Sequence, residues 1–285
     1  MTRYLGEPVT GTEQLAGYVG NQDFMIHTAG GDFVLKVGDR RELTAEAWAC
    51  ERVGSVGVTA PDVVALDVDR HALPAPFLLM RRMSGAAVSH GRHPALVEAG
   101  RQLRRVHSIP MTGYGFLTGE RDTADALIGA HPTWAGFTAE AGACLDELVV
   151  HQVISGGLAD RLQKVLHELR DTVRFDGPGV LLHGDLKPPH VFADEGRFVG
   201  IIDWGDAACG DPLYDLARFS LVGAEALTTL LTGYGLDLDD DLQTTFAVYR
   251  LIRMTTILRE ELRAGGDWFA TYRAAIESDL DRLAR

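Results

Sequence analysis

The spacing of apolar residues changes once along this chain, and that change limits the fold more than any other feature. Up to about residue 81, apolar and β-branched runs are short and are interrupted every few positions by Gly, Asn or Asp, as in strands joined by tight turns. From Arg81-Arg82-Met83-Ser84-Gly85 onward, apolar residues recur every three to four positions over long segments, the spacing of a helix with one buried face. A chain with this asymmetry is α+β, with strands gathered at one end and helices at the other. The change divides it into residues 1–81 and 82–285, and 285 residues suffice for two such parts with sizeable cores.

Within the first part, residues 15–19, 24–28 and 33–37 read as strands. The turns between them, Gly20-Asn21-Gln22-Asp23 and Ala29-Gly30-Gly31-Asp32, are rich in residues that tolerate positive φ, so the strands form an antiparallel meander. Residues 42–53 form a helix with Leu43, Ala47, Cys50 and Val53 on one face. Strand composition returns at 63–66 and 77–80, on either side of the Pro74-Ala75-Pro76 breaker. Beyond the hinge, helices are predicted near 94–107, 134–154, 158–174, 239–264 and 268–283. Residues 180–210 interrupt them: Val180-Leu181-Leu182, Val191-Phe192-Ala193 and residues 198–202 read as brief buried strands, and the loops between are the natural place for chemistry.

Charge narrows the partners. Asp and Glu outnumber Lys and Arg by 40 to 27, a net charge of −13, and most of the excess lies after residue 83, where 29 acidic residues face 19 basic ones. Such a field repels nucleic acid and anionic membranes and attracts a small cation; nothing in the sequence speaks to oligomeric state. Cys50, Cys144 and Cys209 lie 94 and 65 residues apart, which gives neither a disulfide framework nor a Cys-x-x-Cys site and fits a reducing cytoplasm. The first eleven residues lack the basic flank and apolar run of a signal peptide, and no segment nears the ~18 apolar residues of a membrane span. A soluble cytoplasmic protein is therefore expected. There is no G-x-x-x-x-G-K-[ST] loop, G-x-S-x-G elbow, H-E-x-x-H pair or clean G-x-G-x-x-G, which sets aside four common chemistries.

What remains is His183-Gly184-Asp185-Leu186-Lys187-Pro188-Pro189-His190, followed by Asp203 in Ile201-Ile202-Asp203-Trp204-Gly205-Asp206. Each Asp follows an apolar strand, and strand ends deliver such groups to one crevice. Two carboxylates and an imidazole gathered there can hold a divalent cation or position a proton acceptor, the needs of phosphoryl transfer.

This segment resembles the aminoglycoside phosphotransferase family, small-molecule relatives of the protein kinases. The resemblance is strongest over 181–217, where Gly210-Asp211-Pro212-Leu213-Tyr214-Asp215-Leu216-Ala217 follows the His-x-Asp loop in order. Upstream, the Gly-containing turn at 20–23, Lys36 on the third strand, Glu46 on the next helix and the hinge at Leu79-Met80-Arg81-Arg82-Met83 fall in register. It implies a bilobal protein-kinase-like fold, with residues 1–81 as the nucleotide-binding lobe and 82–285 as the catalytic lobe. It also implies transfer of the γ-phosphoryl of ATP or GTP to a hydroxyl of a cationic acceptor of the aminoglycoside type. A metabolite kinase acting on a choline-, sugar- or amino-alcohol-type hydroxyl, and a catalytically silent nucleotide-binding relative, are the alternatives.

By the same resemblance, Asp185 is the catalytic Asp and Asp203 a ligand of Mg²⁺, with Mn²⁺ as an alternative ion. Lys36, one of three lysines in the chain, contacts the nucleotide phosphates, and Glu46 orients it. From the residues alone Glu42 or Glu51 could equally partner Lys36; register favours Glu46. Met80, Arg81 and Met83 supply backbone contacts and an apolar slot for the purine. The family's loop usually ends in Asn where this chain has His190, a second expected metal ligand and an unusual one for a hard ion; members resembling the 2''-phosphotransferase branch share the His. His183 reads as a structural hydrogen-bonding residue, Asp211 as an anchor of the catalytic loop, and Asp215 as a helix-dipole partner. Asp206, Glu260, Glu261, Asp267 and Trp268 are the candidates for binding the acceptor, carboxylates and an aromatic face suiting an amine. The acidic run 237–241 reads as a loop that starts a helix.

Overall fold

The computed structural model describes residues 2–15, 22–89 and 91–284. A single turn, α1 (Thr2–Leu5), precedes strands β1 (Val9–Gln14), β2 (Gln22–Thr28) and β3 (Gly31–Val37), then helix α2 (Arg40–Gly54) and strands β4 (Val63–Asp67) and β5 (Phe77–Arg81). The strands form one antiparallel sheet in the order β1-β2-β3-β5-β4. Of the strand expected at 15–19 and its turn at 20–23, residues 16–21 lie outside the described residues, and the strand paired with β2 is β1, further upstream.

The sheet explains why β5 reads Phe-Leu-Leu-Met without alternation: both of its faces are covered. Leu78 and Met80 belong to the main core with Leu43, Ala47 and Val53 of α2, while Phe77 and Leu79 pack with Ile26, Phe33 and Leu35 on the opposite side. The Asp39 side chain caps α2 by accepting the Arg41 and Glu42 N–H groups.

After β5 come β6 (Ala86–Ala87), α3 (Ala95–Val106), β7 (Tyr114–Arg121), β8 (Leu127–His131), α4 (Trp134–Thr138), α5 (Glu140–Ala143), α6 (Leu145–Val150), α7 (Gly156–Glu168), β9 (Val180–Leu182), β10 (Val191–Asp194), β11 (Arg197–Ile201), β12 (Ala208–Gly210), α8 (Pro212–Phe219), α9 (Ala224–Tyr234), α10 (Asp240–Ala264) and α11 (Phe269–Leu283). The helix expected over 134–154 is three short ones. Gly136 and Gly142 lower helix propensity there, and the chain is re-aimed around Ala139 and Cys144. The segment expected at 158–174 starts two residues earlier, behind the Ser155 cap, and ends in a 3₁₀ turn, Arg170–Val173. Asp239 caps α10 through the Leu242 N–H, as the acidic run suggests.

Two small sheets, β8-β7-β12-β9 and β11-β10-β6, sit among the helices. Leu182 of β9, Ile201 of β11 and Leu216 of α8 share the main core with Leu96 and Leu103 of α3, so the strands that end in the two acidic loops are fixed by the same packing as α2. A second core joins α6, α7, α10 and α11 through Leu148, Leu162, Met254 and Leu280. No described helix is long and apolar enough to cross a membrane. The three cysteines are free and buried.

Candidate active site

β9 and β11 end at Leu182 and Ile201, and the loops that follow run against each other. Gly184 has φ +84°, and a Cβ built on it would lie 1.9 Å from the Asp206 carbonyl oxygen, so only glycine lets the loops meet. The helix after β12 holds the first loop. Asp215 of α8, fully buried, accepts the His183 N–H at 2.7 Å and the Gly184 N–H at 2.8 Å, and also contacts His107 Nε2 at 3.1 Å. His107 Nδ1 in turn lies 2.8 Å from the Tyr234 hydroxyl.

This exchanges two roles expected from the sequence. Asp215 is the anchor of the loop that carries Asp185, whereas Asp211 caps α8 by accepting the Leu213 N–H and takes a 2.6 Å hydrogen bond from the Tyr249 hydroxyl. The reason is helical geometry: Asp211, just before the helix, caps its first turn with one oxygen and turns the other to Tyr249 of α10, while Asp215 lies one turn in and reaches the loop after β9. His183 is structural, its Nε2 donating to the Ile202 carbonyl at 2.9 Å and its Nδ1 accepting from the Asp185 N–H at 3.3 Å. Burial pushes its imidazole below the usual histidine range, which keeps it neutral.

Asp185 leaves this scaffold with both carboxylate oxygens occupied. Arg218 of α8 reaches Oδ1 through Nε and Nη2, each at 2.6 Å, and Lys187 reaches Oδ2 at 2.9 Å. Burial alone would raise its pKa; the two cations outweigh it and hold the carboxyl well below the usual carboxylate range.

Asp203 has the reverse surroundings. Its backbone is left-handed, φ +68°, a conformation that Asp tolerates better than most residues. Its carboxylate meets Lys36 Nζ at 2.6 Å and His190 Nε2 at 3.1 Å. Lys36 also donates to both oxygens of Glu46 at 2.8 Å, so Glu46 is the glutamate that partners it. Asp23, opposite Lys36 on β2, lines the same cavity within range of the ammonium's charge, and its buried Oδ1 has no hydrogen-bond partner. Burial would lower the Lys36 ammonium, but Glu46 and Asp203 raise it above the usual lysine range. Burial likewise opposes ionisation of Asp203, and Lys36 and His190 override it, holding the carboxyl well below the usual range. Burial pushes Glu46 up despite Lys36.

Three carboxylates around one ammonium leave uncompensated negative charge. No cluster of three or more His, Cys, Asp or Glu side chains able to cage an ion occurs among the described residues. One carboxylate, one orphaned carboxylate oxygen nearby and excess negative charge nevertheless fit a small hard cation whose other ligands come from a substrate's phosphates. His190 is buried behind Asp203, and its Nδ1 has no partner.

Both centres open on one cavity of about 900 Å³. Of the residues singled out from the sequence, Lys36, Glu46, Asp185, Asp203, Asp206, Glu260 and Glu261 line it. Met80, Arg81, Met83, Asp267 and Trp268 are not on its wall. Met80 is buried in the core beside α2, the Arg81 guanidinium lies 5.0 Å from the centre of the Phe33 ring, and the Met83 thioether packs beside Gly200. Asp267 and Trp268 are exposed just before α11.

Sequence reasoning singled out Lys36 and missed the other cations of the site. Arg253 of α10, 4% exposed, bonds both oxygens of Glu260 at 2.9 Å and Asp206 at 3.1 Å, and its guanidinium stands 5.2 Å from the centre of the Phe116 ring. Arg253 and Glu260 are seven residues apart, two helical turns on one face, which is the signal that could have revealed the pair. Lys187, two residues after Asp185, and Arg218, three after Asp215, stand beside motif residues, but spacing alone pairs neither of them with Asp185.

The fold is protein-kinase-like, an antiparallel sheet with a mainly helical remainder. It aligns with a thermostable mutant of aminoglycoside phosphotransferase APH(4)-Ia in ternary complex with ADP and hygromycin B at a TM-score of 0.77 and 17% identity, covering 98% of this chain and 96% of that one. APH(2")-IIia in complex with GDP and kanamycin gives 0.71 and 21%, over 99% and 97%. The profile of the phosphotransferase enzyme family, APH, matches residues 11–251, and the chain belongs to that family. A homoserine kinase of Gluconacetobacter diazotrophicus is 31% identical over 219 residues, 73% of this chain and 64% of that protein. The chain spans less than two thirds of the length of the curated relatives it matches first.

Proposed function

We propose that the protein transfers the γ-phosphoryl group of ATP or GTP to a hydroxyl of a small amine-bearing acceptor, most simply an aminoglycoside-type compound. The reading rests above all on one observation: Asp185 and the Lys36–Asp203 pair open on a single cavity that Asp206, Glu260 and Glu261 also line. Lys36, oriented by Glu46, binds nucleotide phosphates. Asp203 would hold a divalent cation with His190 behind it, and such an ion supplies charge neutralisation at the phosphates when bound. The acceptor hydroxyl displaces Lys187 from Oδ2 of Asp185 and gives that oxygen its proton as its own oxygen bonds to the γ-phosphorus. The bond from that phosphorus to the bridging oxygen breaks, and the nucleoside diphosphate leaves.

Glu261 is the acceptor-side carboxylate with the clearest role. It is 7% exposed, lines the cavity, and its Oε2 is buried beside Gly266 without a hydrogen-bond partner, so a turn of the carboxylate toward the cavity would let an ammonium group satisfy it. Residues 1–81 act as the nucleotide lobe and 82–285 as the catalytic lobe.

A metabolite kinase is the second reading. It is supported by the homoserine kinase similarity and by the arginines on the same wall, Arg41, Arg218, Arg253 and Arg263, which also suit an acceptor bearing both an amine and an acid. A nucleotide-consumption screen against antibiotics and hydroxylated metabolites, with mass spectrometry for the added phosphate, separates the two. Turnover only with acceptors that lack an amine would reject the first reading.

A further inference from the structure

Helix α8 carries opposite charges three residues apart, on one face. Asp215 takes the backbone N–H groups of His183 and Gly184, the two residues before Asp185. Arg218 takes the Asp185 carboxylate itself, through two nitrogens on one oxygen. The Arg218 side chain is 11% exposed and the Asp215 side chain fully buried, so neither contact is a loose surface pair. The helix is short and fixed at its start by the Asp211 cap, which leaves it little freedom to slide past the loop.

The two cations on Asp185 are not equivalent. Arg218 grips Oδ1 with a planar fork from a packed helix, whereas Lys187 offers a single contact to Oδ2 from a flexible stem on the loop itself. A hydroxyl approaching Asp185 therefore meets a carboxylate whose one oxygen stays locked while the other is exchanged.

We infer that Asp215 and Arg218 dock the catalytic loop at two points, and that Arg218 is a positioning residue that fixes the orientation and limits the basicity of Asp185. The inference rests on Asp185 being the proton acceptor of the proposed reaction. Besides Arg218, the charged or titratable groups facing Asp185 are His183, Lys187 and His190 from its own loop and Arg253 from α10, the last engaged by Glu260 and Asp206. With Arg218 removed, burial of the carboxylate is opposed mainly by Lys187, and its proton affinity rises.

The test compares wild type, Arg218→Ala and Arg218→Lys. In Arg218→Ala, kcat falls by about 10²-fold, the scale of a misplaced reacting group, with little change in the KM for nucleotide. The acid limb of its kcat profile moves to higher pH, because a carboxylate with a raised pKa is protonated, and so disabled, earlier as pH falls. Arg218→Lys restores the charge without the fork, so it returns the limb most of the way and kcat only in part. A second readout needs no acceptor: carbon-13 NMR titration of the aspartate carboxyls, with the Asp185 signal assigned by its loss in Asp185→Asn. An upward shift of that midpoint in Arg218→Ala is expected. A midpoint and kcat profile that overlay wild type would overturn the inference even where thermal stability drops. A shifted midpoint in a protein that phosphorylates no acceptor would instead reject the functional reading and leave the docking intact.

Discussion

Asp185 and Asp203 face the same cavity with opposite charge surroundings. Two cations converge on Asp185 alone, whereas Asp203 has His190 and a lysine that it shares with Glu46, with Asp23 close by. Asp185 is thus a neutralised carboxylate with one exchangeable partner, suited to receiving a proton briefly. The Asp203 side carries a surplus of negative charge that a metal and a polyphosphate together can balance. The contrast teaches that residue type does not separate the two carboxylates; whether each has its cations to itself does.

Removing either half of the contrast gives the largest effects. Asp185→Ala should lower phosphoryl transfer by about 10²–10⁴-fold, the usual contribution of a positioned proton acceptor, while equilibrium nucleotide binding stays nearly unchanged. Turnover close to wild type would eliminate Asp185 as the base. Asp203→Ala should cost about 10²–10³-fold in turnover, as loss of electrostatic stabilisation does, and here nucleotide affinity should fall with it. A metal titration indistinguishable from wild type is the result that rejects this assignment.

A third experiment sharpens the comparison by stability. Lys36→Met leaves Glu46, 3% exposed in its side chain, without its cation, and should destabilise the protein by about 3 kcal/mol, the cost of breaking a buried pair from one side. Adding Glu46→Gln should recover part of that loss in denaturant melts, and strict additivity of the two substitutions would argue against coupling. The smallest effect is expected at His190. His190→Asn offers an amide oxygen and should keep substantial activity with a metal preference moved toward Mg²⁺ over Mn²⁺, while His190→Ala should need more metal. Identical metal curves for all three proteins would confine His190 to a structural role.

The elements legible in the sequence were those whose packing is regular. The strands at β2, β3 and β5 and the helices α2, α3, α10 and α11 all fall within a few residues of their expected bounds. The β7–β8 hairpin was missed because Gly115, Gly119 and the polar Arg121-Asp122-Thr123 interrupt its alternation, and α9 because it is short and begins after Gly223 without a side-chain cap. In the site, residue types placed in a motif were legible, but their partners were not. Arg253 sits in α10, which is buried on most sides, so its charge faces inward where an amphipathic reading assigns it to water. The roles of Asp211 and Asp215 depend on which side of the α8 start each one occupies, a difference that composition does not encode.

The contact between Gly184 and the Asp206 carbonyl sets the spacing of the two acidic loops. Asp185 follows that glycine directly and Asp203 lies three residues before that carbonyl, so under the proposed reaction the space of a single absent methyl group limits how closely the two loops approach. A displacement of about 1 Å between reacting groups is enough to lose two orders of magnitude in rate. Under the proposed reaction, acceptor choice can drift through α10 and α11, whose side chains line the cavity, while the spacing of the two acidic loops is held by backbone against backbone.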